Sequence, residues 1–133
     1  MKPTQTFRKA ERLCSKIVME KLFKSGRSFT LFPFRVVWLM EGVASSFPVQ
    51  VAFAVPKKIF KRAVDRNKLK RRAREAYRKT KHGLYELLEK RDKKIALLLI
   101  YTAKEKLEYE FIANKINLII ERLLNEISNG PDQ

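Results

Sequence analysis

Cysteine, histidine and glycine are scarce in this 133-residue chain, and each scarcity excludes a class of chemistry. Cys14 is the only cysteine, so no intrachain disulfide can form, and a reducing, cytoplasmic setting fits. His82 is the only histidine, and with one of each neither a Ser/His/Asp nor a Cys/His set can be assembled. A zinc site, which needs about four ligands at recognisable spacing, is excluded on the same count. His82, followed by Gly83, reads as a helix-terminal or surface residue. The four glycines are nowhere clustered, which removes Gly-rich phosphate loops. Long apolar runs are missing too. The longest aliphatic stretch, Ile95 to Ile100, has six residues, against the ~20 of a membrane-spanning helix. The N-terminal Met-Lys-Pro-Thr-Gln-Thr-Phe-Arg-Lys lacks the apolar segment of a secretory signal. Acids are also few, 14 against 30 Lys and Arg. Asp65, Glu75 and Asp92 stand among cations, where ion pairing is a better reading than paired acid–base catalysis.

What is abundant is positive charge on a chain that can still fold. Hydrophobic residues make up 45%, enough for a core, while the formal net charge is +16 and the pI about 10.2. Such a balance points to a polyanionic partner, and without a spanning or signal segment nucleic acid is favoured over a membrane. The charge is concentrated. Between Lys57 and Lys81 stand 13 Lys and Arg against only Asp65 and Glu75, a local balance of +11 that leaves +5 for the other 108 residues.

The stretch Ala63 to Arg78 has helical periodicity at about 100° per residue. Leu69, Ala73 and Ala76 share one side with Tyr77 at its edge. Arg66, Lys70, Arg74 and Arg78 run along the adjoining side, widened by Asn67 and Arg71, and Asp65 is read as the N-terminal cap. Like charges one helical turn apart repel by a few tenths of a kcal/mol per pair. A polyanion laid along that side would turn the repulsion into attraction. Lys57, Lys58, Lys61 and Arg62 extend the patch into the preceding loop. Asn67 either bonds a nucleic-acid backbone or stabilises its own helix entry.

The remaining elements follow from their periodicity. Residues 1–10 read as a loose basic arm. Ser15 before Lys16 to Lys24, with Gly26 beyond, punctuates a short helix whose Val18, Met19, Leu22 and Phe23 share a side. Val18 and Leu22 read as core; Met19 and Phe23 either join it or offer a surface to a base. Phe34 to Met40 reads as a strand, with a short strand before it at Ser28 to Leu31. Pro48 to Pro56 alternates, with Val49, Val51, Phe53 and Val55 on one face and Gln50, Ala52 and Ala54 on the other. The strands 34–40 and 48–56 are expected to pair as an antiparallel hairpin. Trp38 and the strand phenylalanines read as core. After the basic helix come a second helical piece from Gly83 to Lys90, an all-apolar central strand from Ile95, and an amphipathic helix from Tyr109 to Ile127. Residues 128–133 read as a frayed tail. The expected fold is a single-domain α+β sandwich, one small mixed sheet in the order helix, strands, helix, strand, helix.

At Arg66-Asn67-Lys68-Leu69-Lys70-Arg71-Arg72-Ala73-Arg74-Glu75 the chain resembles the protein component of bacterial ribonuclease P, whose signature is Arg-Asn-x-x-Lys-Arg-x-x-Arg-Glu. The likeness extends through Val55-Pro56-Lys57-Lys58-Ile59, Ala63-Val64, Arg12-Leu13, Phe23 with Gly26, the Ile95 strand and the closing helix. One departure is the loop Phe60-Lys61-Arg62, a residue longer than the family's usual Gly-Asn. The resemblance implies a left-handed βαβ crossover around the signature helix, against the usual rule. It also implies that a catalytic RNA subunit, with Mg²⁺ held mainly by RNA and substrate, removes the 5′ leader of precursor tRNA. The protein would then be the monomeric, non-catalytic subunit of a 1:1 complex with ribonuclease P RNA. Carried over residue by residue, RNA contact falls on Arg66, Asn67, Lys70, Arg71, Arg74, Lys57, Lys58 and Arg12. A leader-binding cleft falls on Met19, Phe23, Arg35, Val37, Ala52 and Ala54, with Met19 and Val37 where the family has aromatics. A rival reading is a ribosomal-type structural RNA-binding protein with no part in cleavage. A DNA-binding module is disfavoured, since neither a second recognition helix nor a dimerising heptad is visible.

Overall fold

The computed structural model describes residues 11–13, 15–40 and 47–129; the expected N-terminal arm, Cys14 and residues 130–133 of the expected tail lie outside it. Eight elements follow one another: α1 (Lys16–Ser25), β1 (Arg27–Leu31), β2 (Phe34–Leu39), β3 (Val49–Ala54), α2 (Ala63–Thr80), α3 (His82–Lys90), β4 (Ile95–Tyr101) and α4 (Tyr109–Asn129). They form the expected mixed α+β sandwich, with one four-stranded sheet in the order β1-β2-β4-β3. None of the described helices is long and apolar enough to cross a membrane.

The strand order corrects one expectation. The strands at 34–40 and 48–56 are not a hairpin, because β4 lies between them, antiparallel to β2 and parallel to β3. The reason is the composition of β4. Ile95, Ala96, Leu97, Leu98 and Leu99 are all buried, and a strand apolar on both faces is stable only with neighbours on both edges and cover on both sides. The hairpin is instead β1–β2, turning at Phe32-Pro33 with Leu31 opposite Phe34. The outer edge of β3 is partly covered as well: Arg12 bridges Val51 in parallel, and the Leu13 amide donates to the Val51 carbonyl at 2.9 Å.

The main core lies between the sheet and α2, α3 and α4. The alternation of β3 places Val49, Val51, Phe53 and Val55 there, beside Trp38, Phe34, Leu97 and Leu99. Ile112, Ile116, Ile119, Ile120, Leu123 and Ile127 make the buried stripe of α4, which continues two residues past the expected end at Ile127. Arg91 holds that end by donating to the Ile127 and Ser128 carbonyls at 2.9 and 3.2 Å. The opposite sheet face carries a smaller core, where α1 seats Val18 and Leu22 on Val37, Ala96 and Leu98.

Helix α1 begins as expected, with the Ser15 hydroxyl accepting from the Val18 amide at 3.3 Å. Its end rests on close approach rather than on a left-handed residue. Gly26 is extended (φ −71°), and a Cβ there would lie 2.5 Å from the Leu22 carbonyl oxygen and 3.0 Å from Val37 Cγ1. Both obstacles belong to well-packed structure, one of them backbone. Gly26→Ala should therefore lower stability by about 1–3 kcal/mol, read by urea denaturation; an unchanged midpoint would show that α1 is free to shift.

Candidate nucleic-acid interface

Helix α2 sits on Leu69, Ala73, Ala76 and Tyr77, the four residues its periodicity marks. Two alanines in that seat bring the backbone close to the core, so the long cationic side chains start near the protein surface. Asn67 and Arg71 are exposed, and Lys70 and Arg74 are half-buried beside them. Burial, with Arg12 and then Arg71 nearby, pulls the Arg74 guanidinium below its ordinary pKa. Arg12 comes from the far end of the chain and is exposed alongside β3. Three arginines are thus gathered from two distant segments, an arrangement suited to accepting a phosphate.

Not every cation on α2 is available in the same way. Arg66 reaches back to donate to the Phe60 and Lys61 carbonyls at 2.8 and 2.9 Å. It therefore shapes the loop that carries Lys57, Lys58, Lys61 and Arg62, all of them exposed. Arg72 donates to the Leu107 carbonyl, and Arg78 is paired with Glu75. Phe60, the first residue of this loop, is buried against Tyr101 with ring centroids 5.9 Å apart. Just before it the chain is tightened where the Ile59 and Phe60 amides both donate to the Pro56 carbonyl at 3.1 Å.

The N-terminal cap is a second correction. The capping position is Arg62, with no side-chain cap bond, and Asp65 lies within the first turn of α2. Its carboxylate instead takes the Lys106 ammonium at 3.2 Å, a partner 41 residues away, while still favouring the positive end of the helix dipole. Glu75 is engaged by Arg78 and more loosely by Lys79 at 3.9 Å. Asp92 occupies a left-handed turn position (φ 53°) between α3 and β4.

The residues expected to line a leader cleft are unevenly placed about α1. Cross-strand register aligns Thr30, Arg35, Ile100 and Ala54 in one row, and Ser28, Val37, Leu98 and Ala52 in the next. Val37 is 3% exposed beneath α1 and serves as its seat, not as open floor. Arg35 is exposed, Ala52 and Ala54 are half-buried, and Ala54 lies just before the Pro56-Lys57-Lys58 loop. Met19 is half-buried and Phe23, one turn on, is 64% exposed. Exposed aromatic and cationic side chains, of which Phe23 and Arg35 are one each, are suited to an unstacked base and its phosphate.

Sequence reasoning missed a buried polar network behind these faces. Glu11 Oε1 accepts from Lys81 Nζ and from the Tyr85 hydroxyl (2.6 Å), and the Tyr85 and Tyr77 hydroxyls are 3.0 Å apart. Glu11 sits at the edge of a polar arm, and Lys81 looked like one more member of the basic stretch; only a partner 70 positions away distinguishes them.

Comparison with known proteins settles the family. The Ribonuclease P family model matches residues 7–124. The chain belongs to the ribonuclease P protein family. It is 29% identical over 128 residues to the ribonuclease P protein component of Porphyromonas gingivalis, covering 96% of this chain and 93% of that protein. The component from Chlorobium phaeobacteroides is 34% identical, with 92% of each chain covered. Among solved structures, the RNase P protein of Thermotoga maritima superposes with a TM-score of 0.66 at 25% identity, covering 84% of this chain and 96% of that one. The Staphylococcus aureus protein gives 0.65 at 21% identity, covering 86% and 96%. Membership makes the chain part of an endoribonuclease complex in tRNA processing, with ribonuclease P RNA as its partner.

The tyrosine network carries a pH signature. Burial pushes the Tyr77 and Tyr85 phenols well above their ordinary range, and for Tyr85 the neighbouring Tyr77 and the bond to Glu11 push the same way. The folded state keeps protons that the unfolded chain releases near pH 10. Stability from both groups is therefore full below about pH 10 and falls as pH rises past it. Melting temperature above that pH should drop more steeply for the wild type than for a Tyr77→Phe/Tyr85→Phe variant; parallel curves would contradict the assignment.

Proposed function

We propose that the exposed side of α2 and the loop before it bind the ribonuclease P RNA, while the surface between α1 and the sheet holds the 5′ leader of precursor tRNA. The observation carrying this reading is the gathering of Arg12, Arg71 and Arg74, with Asn67 and Lys70 on the same helix, on the side of α2 adjoining its apolar seat. Lys57 and Lys58 add charge from the loop, and Arg66 contributes partly by holding that loop. Phe23, Met19, Arg35, Ala52 and Ala54 form the leader surface, with Val37 supporting α1 beneath it. Asp65 and Glu75 are occupied by cations, so Mg²⁺ and the cleavage chemistry are assigned to the RNA subunit and its substrate. The protein's contribution is electrostatic: it neutralises phosphates that Mg²⁺ would otherwise have to screen, and it grips the leader. In this reading the chain acts as one domain, one copy per RNA, in the cytoplasm.

Reconstitution tests it. The purified chain, mixed with ribonuclease P RNA of the same organism and a leader-bearing precursor tRNA at low Mg²⁺, should raise the rate of 5′ cleavage. Arg35→Ala should weaken affinity for that precursor several-fold and leave affinity for leaderless tRNA unchanged. No gain in cleavage would remove the proposal in favour of a structural RNA-binding role.

A further inference from the structure

A lysine and a glutamate are fully enclosed at the junction of α2 and α3, with side-chain exposures of 2% for Lys81 and 1% for Glu11. Removing both charges from water costs several kcal/mol per ion, and an apolar pair of similar volume is often as stable or more so. Such a pair is a poor source of stability but a good means of specifying one arrangement over its alternatives. Here the pair is tied into a wider network. The Glu11 carboxylate takes both Lys81 and Tyr85, the Lys81 ammonium lies over the Tyr85 ring at 5.0 Å, and Tyr85 passes the chain on to Tyr77 in the seat of α2.

The arrangement it specifies is the position of Arg12. Glu11 is held at the α2–α3 elbow, and two residues later the Leu13 amide is held by Val51 of β3 at 2.9 Å. Arg12 lies between these two anchors and is exposed. Helix α2 lies against β3, with the Phe53 and Tyr77 rings 5.7 Å apart, so the clamped segment runs beside the helix that carries Arg71 and Arg74. Like charges would drive an unanchored arginine away from that helix in the free protein.

We propose that Glu11 and Lys81 are positioning residues of the RNA face: their buried pair fixes Arg12 beside Arg71 and Arg74, so that all three arginines meet RNA phosphate as a preformed seat. The inference rests on the RNA-binding reading of α2. Neither Glu11 nor Lys81 touches RNA; both act through Arg12.

The sign of the effect separates positioning from simple electrostatics. Glu11→Gln raises the net charge by one, so an electrostatic effect alone would tighten RNA binding. Loss of positioning would loosen it. Affinity for ribonuclease P RNA of the same organism is measured against salt for the wild type, Glu11→Gln, Arg12→Ala, the double variant and Arg74→Ala, with near-ultraviolet circular dichroism confirming the fold. Arg12→Ala should flatten the plot of log K against log salt by about one unit. Glu11→Gln should reproduce most of that loss, with faster amide exchange at Leu13 and unchanged exchange in β4, and Arg12→Ala should add little on top of it. Where Glu11→Gln does not fold, Tyr85→Phe carries the same test, because it keeps the ring and the ion pair and removes one donor to Glu11. A folded Glu11→Gln or Tyr85→Phe variant with faster Leu13 exchange but undiminished affinity and slope overturns the inference. If Arg12→Ala is silent while Arg74→Ala weakens binding, this inference fails alone; if both are silent, the RNA-binding reading fails with it.

Discussion

Repulsion along α2 is the constraint that the rest of the structure has to accommodate. Eight lysines and arginines share an 18-residue helix with only Asp65 and Glu75, and an isolated peptide of that composition would gain little from folding. The helix is held by its other side, where Leu69, Ala73, Ala76 and Tyr77 are buried among the residues of the sheet and α4. Burying them contributes roughly 1.5–3 kcal/mol for each large side chain, against a few tenths for each like-charge pair. Packing therefore wins, and the protein can carry more positive charge on α2 than its internal bonds neutralise.

Given that seat, the sheet divides the work. One face is filled by α2, α3 and α4, and its residues are occupied with holding the charged helix. The other is only partly covered by α1, which leaves Arg35, Ala52, Ala54 and the exposed Phe23 on the surface. The two proposed surfaces meet where β3 runs out into Pro56-Lys57-Lys58. Within the basic stretch the cations also divide. Arg66, Arg72 and Arg78 make bonds to carbonyls or to Glu75, whereas Arg71 is exposed and Arg74 is crowded by Arg12 and Arg71. A uniform description of the helix as a phosphate-binding ridge misses this difference between arginines that shape the site and arginines that present charge.

Much of this was legible because local periodicity reports which side of an element is buried. The seat of α2, the stripe of α4, the alternation of β3 and the doubly buried β4 all follow from spacing alone. What periodicity cannot report is which distant segment supplies the cover. The apolar run of β4 implied a central strand but not that it would separate β2 from β3. Asp65 had the right chemistry for a cap, yet Lys106 claimed it from 41 residues away. Val37 is placed in the cleft by family resemblance, while its burial depends on where α1 lands. Glu11 and Lys81 carried no local signal, since a buried ion pair and two solvated charges read the same in one dimension.

The central claim, that the cations of α2 and its neighbours meet RNA phosphates, is tested most directly by the salt dependence of binding to ribonuclease P RNA. About five phosphate contacts predict that log K falls with log salt at a slope of roughly −4 to −5. A slope near −1 would contradict the account, because a face with that many arginines cannot lie on a polyanion while releasing about one counterion.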